Sequence, residues 1–164
     1  MTSDEGRRKV TVDYLYLDLA VCDRCIGTDK VLESAVEKVR VSLSEMGYDI
    51  ELRKTEIENA DMARRYRFVS SPTIRVNGID ICSEVEENEC GCCGDISGTY
   101  VECRVFRYKG KAYEVPPEEM LTELIMANAE KECSGGSGQY TMPENLRRFF
   151  EGKESGIRVI SRCC

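Results

Sequence analysis

The chain has 164 residues, 23 of them Lys or Arg and 30 Asp or Glu, which suits one domain of roughly 100–150 residues with an appendage. With 41 % hydrophobic and 32 % charged residues it reads as a soluble globular protein, and no apolar run comes near the ~18 residues of a spanning helix, which excludes the membrane. A net charge of −7 with no Lys/Arg-rich block excludes nucleic acid as an expected partner, and the complete absence of His removes His-based catalysis and every His-ligated metal site.

The amino terminus is polar and leads into an alternating segment, so no secretory signal is visible and the cytoplasm is the expected compartment. Val10 to Leu19 sets Val12, Tyr14 and Tyr16 against Leu15, Leu17 and Leu19, which predicts a strand buried on both faces. Cys22-Asp23-Arg24-Cys25 follows. Val31, Leu32, Ala35, Val36, Val39, Leu43 and Met46 then recur at helical spacing until Gly47 supplies a stop. Tyr48 to Ile57 alternates as a second strand and Asn59 to Phe68 predicts a short helix, which implies a parallel strand pair with crossover helices.

Ser70-Ser71-Pro72 opens two alternating runs, Thr73 to Val76 and Ile79 to Ile81, joined by Asn77-Gly78. This pair predicts a hairpin, because a type I′ turn needs positive φ at both positions. Residues 82–103 then break the pattern with Cys82, Cys90, Cys92, Cys93 and Cys103 among Gly and acidic residues, and read as a Cys-rich insertion without a period. Arg104 to Tyr108 and Lys111 to Val115 flank Lys109-Gly110 as a second hairpin. Pro116-Pro117 opens a helix carrying Leu121, Leu124, Ile125 and Asn128 on one face. The domain is expected to span 8–132. Residues 133–139, with Ser134-Gly135-Gly136-Ser137-Gly138, have the composition of a flexible linker, and 140–164 form a tail with a short amphipathic helix and a terminal Cys163-Cys164.

The chemistry must come from sulfur and carboxylate. Ten Cys in a reducing compartment read as redox or metal-binding residues rather than as structural bridges. A helix amino terminus stabilises a thiolate, and Cys22 is expected at one, with Cys25 one turn on. That spacing divides labour between an attacking and a resolving thiol. The same Cys-x-x-Cys spacing also suits half of a tetrahedral sulfur-ligated site.

Strand, Cys-x-x-Cys, helix, strand, helix, then Ser-Pro, hairpin and helix resembles the layout of the thioredoxin superfamily over residues 8–132. The resemblance implies an α/β thioredoxin-like fold, a mixed sheet flanked by helices, with a cis peptide at Pro72 packed near the Cys22/Cys25 dithiol and Ser71 facing the sulfurs. Leu15 to Thr28 and Phe68 to Ile81 resemble more closely an uncharacterised prokaryotic thioredoxin-like family of unknown function. Cys22-Asp23-Arg24-Cys25 departs from thioredoxin itself in lacking Gly-Pro and a preceding Trp.

Two further thiol groups stand outside that layout. Cys90, Cys92, Cys93 and Cys103 can wrap a soft ion in an all-sulfur site (Zn, Fe-S, Cu, Hg or arsenic), form an additional redox pair, or sit in a plain loop. The terminal Cys163-Cys164 resembles the mobile carboxy-terminal thiols of mercuric reductase and of some thioredoxin reductases, and a tether would raise its local concentration at the other thiols.

The leading expectation is a cytoplasmic thiol-disulfide oxidoreductase in which Cys22 attacks, Cys25 resolves and Pro72 shapes a groove for an extended peptide, acting on protein thiols or disulfides. The alternative is a non-enzymatic binder or carrier of a thiophilic metal or metalloid. A third is an interaction module gated by the redox state of its cysteines.

Overall fold

The computed structural model describes residues 6–20, 22–82, 85–98, 101–132 and 138–154. Strand β1 (Arg8–Tyr16) pairs in parallel with β2 (Tyr48–Glu56), and the connection between them is the long helix α1 (Asp23–Glu45). Helix α2 (Ala60–Tyr66) begins where the Asn59 side chain accepts a 2.9 Å hydrogen bond from the Met62 N–H, one of the amides that a helix start leaves unpaired. It leads to β3 (Thr73–Val76), which lies antiparallel to β1 on its other side, and to the short β4 (Ile79–Asp80). Asn77 and Gly78 both take positive φ, 52° and 82°, so the expected hairpin turn forms.

The sheet order is β2-β1-β3-β4, with β1 central. This mixed four-stranded sheet flanked by helices is the α/β architecture expected from the sequence and a thioredoxin-like arrangement. Val10, Val12 and Tyr14 face one core with Leu32, Ala35, Val36 and Leu43 of α1, and with Met120, Leu121 and Ile125 of α4 (Glu118–Asn128). On the opposite face only the carboxyl end of β1 is apolar. Leu15 and Leu17 are buried there, whereas Asp13 on that face is held by Arg53 at 2.7 and 3.0 Å. The second core is therefore confined to the end of the sheet where β1 gives way to α1.

The region 82–103 is built rather than irregular. It contains β5 (Glu86–Glu89) and the seven-residue helix α3 (Gly91–Ser97), then enters β6 (Glu102–Tyr108), which pairs with β5 and with β7 (Lys111–Tyr113) in a separate antiparallel sheet. Elements this short hold too few residues to show a period of 3.6 or 2, which is why no pattern is visible in the sequence. Cys103 accordingly lies on a strand, one residue before the expected start of that strand at Arg104.

The last described element, α5 (Glu144–Glu154), packs Leu146, Phe149 and Phe150 into the second core beside Phe68 and Ala63. Asn145 pairs with both backbone groups of Glu102, accepting from its N–H at 2.7 Å and donating to its carbonyl at 2.5 Å. Gly152 passes so close to α3 that a Cβ there would collide with the Ser97 carbonyl. Residues 133–137 of the expected linker lie outside the described residues, as do Cys163 and Cys164. No helix among the described residues is long and apolar enough to cross a membrane.

Candidate metal centre

Two helix starts converge on the second core. Cys22 is the N-cap of α1, with extended φ/ψ of −86°/107°, and Cys90 is the N-cap of α3, with −113°/106°. Neither thiol is used as a capping acceptor. Cys25 lies one turn into α1 and Cys93 one turn into α3, so Cys90-Gly91-Cys92-Cys93 is a second Cys-x-x-Cys in the same local geometry as the first. Ile26 N–H bonds back to the Cys22 carbonyl at 2.9 Å and Gly94 N–H to the Cys90 carbonyl at 3.0 Å, which closes the first turn of each helix.

The sulfurs of Cys22, Cys90 and Cys93 all lie within 4.8 Å of one another. Cys93 Sγ is 3.9 Å from Cys22 Sγ and 3.4 Å from Cys103 Sγ. Tetrahedral coordination at a metal–sulfur bond of ~2.3 Å places ligand sulfurs about 3.8 Å apart, so the observed separations bracket that edge. Cys22, Cys93 and Cys103 have no exposed surface and Cys90 is 3 % exposed. The donor set is all sulfur, and Leu15, Leu17, Ile57, Val101 and Phe149 belong to the same buried cluster. Soft thiolates in an apolar, closed pocket suit Zn, Cu(I) or iron rather than Mg or Ca.

The arrangement distributes protons unevenly. Hydrogen bonds from the thiols of Cys103, Cys25, Cys90 and Cys93, in that order of effect, push Cys22 well below the usual thiol range. Cys90 is also lowered, first by its hydrogen bond with Cys103. The donors move the other way: Cys93 is raised by Cys103, then Cys22 and Cys90, and Cys103 is raised by Cys22, then Cys90. Cys25 is raised by donating to Cys22 and by burial.

Three of the sequence-predicted residues, Cys22, Cys90 and Cys93, form the close set, and Cys103 adjoins it through Cys93. Cys92 is 4 % exposed in the same apolar cluster but is not one of the close set. A two-residue step from Cys90 along a helix turns it to another flank, whereas a three-residue step returns Cys93 to the same one. Cys25 sits behind Cys22, its sulfur 3.4 Å from Ser71 Oγ, which also accepts from Leu17 N–H at 3.1 Å. The Ser71–Pro72 peptide is cis, and both residues are buried.

Arg104 N–H donates to the Ser71 carbonyl at 2.7 Å, so β6 of this chain occupies the backbone acceptor beside Pro72. Cys82 is half-buried at the end of β4, apart from the cluster, and burial pushes its thiol up to about 11. Asn145, a buried partner of β6, was not anticipated; its only sequence signal is its position ahead of the Leu146, Phe149, Phe150 face. A family model described as "Domain of unknown function (DUF2703)" matches residues 10–125.

The chain belongs to the DUF2703 family. The matched span of this DUF2703 member includes Cys22, Cys25, Cys90, Cys93 and Cys103, and the family's description names no activity. No curated protein and no solved structure matches the chain.

Proposed function

We propose that this protein binds one thiophilic metal ion through Cys22, Cys90 and Cys93, with Cys103 as the fourth ligand. The observation that carries this reading is the convergence of three sulfurs within 4.8 Å from segments far apart in the chain. A fully buried four-sulfur set leaves no open coordination position, and open positions are what catalytic zinc sites use to activate water. The centre holds an ion and ties two segments together; it does not perform hydrolysis. Zn²⁺ and Fe²⁺ fit its size and softness, and a reducing compartment such as the cytoplasm keeps the thiols available.

The test is Zn²⁺ and Co²⁺ titration of protein purified under anaerobic, reducing conditions, read by native mass spectrometry and by the thiolate-to-cobalt absorption. One ion per chain is expected, with loss of binding in Cys93→Ser. Fully reduced protein that takes up neither ion would sink the proposal.

A second reading, a thiol-disulfide oxidoreductase using Cys22 and Cys25, is supported by Cys22 at the start of the 23-residue α1 and by its lowered pKa. Both sulfurs have no exposed surface, so a protein disulfide would reach them only after the segments covering them move away. Disulfide-reductase turnover by the metal-free protein that is lost in Cys22→Ser would favour this reading.

A further inference from the structure

The thiolate set is assembled from two parts of the chain. Cys22 belongs to the four-stranded α/β unit, whereas Cys90, Cys93 and Cys103 belong to the β5-α3-β6 segment. For the sulfurs to meet, the main chain at Cys90 and Cys103 must be held against the start of α1. Arg24, two residues after Cys22, is buried at 8 % exposure and makes that connection. Its Nη1 donates to the Cys103 carbonyl at 3.2 Å, and its Nη2 donates to the Glu89 carbonyl, next to Cys90, at 2.7 Å. Nη2 also meets Glu114 Oε1 at 2.9 Å.

We propose that Arg24 is the positioning residue of the metal centre: its guanidinium fastens the end of β5, next to Cys90, and β6, which carries Cys103, to the helix start that carries Cys22. This rests on the metal-binding reading above. Arg24 acts through main-chain carbonyls, that of Cys103 and that of Glu89 next to Cys90. A guanidinium suits the task because it is planar and always charged, and its donors point in fixed directions, so one side chain can span two carbonyls and a carboxylate. Lysine would retain the charge but offer a single compact ammonium.

The test compares the full chain with Arg24→Lys, Arg24→Gln and the exposed control Arg147→Gln, using Co²⁺ as the probe ion. The readouts are the cobalt d–d and thiolate charge-transfer bands and competition with a chelator. Arg24→Gln is expected to weaken Co²⁺ binding by roughly 10–100-fold, the range for loss of an outer-shell partner, and to shift the d–d bands. Arg24→Lys is expected to fall between it and the parent, with altered bands because the charge is kept and the fork is lost. Arg147→Gln should match the parent. Affinity and bands unchanged in Arg24→Gln, with the parent binding normally, would overturn the role of Arg24 alone. No Co²⁺ bound by the parent would overturn the metal centre and this inference with it. If Arg24→Gln fails to fold, Arg24→Lys decides: parent-like bands and affinity overturn the role, and altered bands with weakened binding support it.

Discussion

Cys93 Sγ lies 3.9 Å from Cys22 Sγ although 71 residues separate them in the chain. Each is reached from a helix whose N-cap is a cysteine, and the second helix belongs to a segment outside the four-stranded sheet. A contact of this sequence separation carries a large ordering cost, which packing, Arg24 and a bound ion would each help to meet.

Cys22 and Cys25 should behave differently. Cys22 belongs to the close sulfur set, whereas Cys25 faces Ser71 Oγ at 3.4 Å. Cys22→Ser is expected to abolish stoichiometric Zn²⁺ binding. Cys25→Ser should keep stoichiometric Zn²⁺ binding, weakened at most by the roughly 10–100-fold of an outer-shell change. Equal loss in both variants, measured by chelator competition, would place Cys25 in the coordination sphere.

The Cys82 thiol sets a pH dependence of its own. Its folded-state value of about 11 stands above the ordinary 9.0 because burial disfavours the thiolate. The folded state therefore holds this proton longer than the unfolded one. The resulting stability is present below pH 9 and is lost as the pH rises toward 11. The melting temperature of the parent should thus fall more steeply over that interval than that of Cys82→Ala, and Cys82 should resist alkylation at pH 8 in the native protein. Identical pH profiles for the two proteins would contradict the assignment.

Gly152→Ala tests the docking of α5. The added methyl group would meet the Ser97 carbonyl, which is backbone and cannot swing aside. Overpacking of this kind costs roughly 1–3 kcal/mol, so the midpoint of urea unfolding should drop. An unchanged midpoint would mean that α5 does not stay seated on α3.

Phe149→Ala tests whether α5 shields the sulfurs. Phe149 has no exposed surface and shares the second core with Cys22, Cys90, Cys93 and Cys103. Its truncation should destabilise by about 3–5 kcal/mol and speed alkylation of those four cysteines in the metal-free protein. Alkylation rates equal to the parent's, measured by peptide mapping under native conditions, would show that the shield lies elsewhere.

The sequence by itself determined the elements whose signals are local. Val10 to Leu19 alternates Val12, Tyr14 and Tyr16 with Leu15, Leu17 and Leu19, Asn77-Gly78 accepts the two positive φ values of its turn, and Cys22 falls where a strand pattern becomes a helical one. The absence of His restricts soft-ion chemistry to sulfur before any coordinate is known. Only the tertiary structure decided which sulfurs meet. Cys103 reaches Cys93 where β6 pairs with β5, and that sheet is joined to the start of α1 by the bonds of Arg24 to the Cys103 and Glu89 carbonyls and to the segment before β3 by the Ser71 carbonyl. Such pairings leave no mark on the periodicity of seven-residue α3 or four-residue β5, and burial depends on α5 packing over the site from the far end of the chain. Local signals follow from backbone preference and side-chain spacing, whereas the grouping of thiols follows from long-range packing that no local pattern encodes.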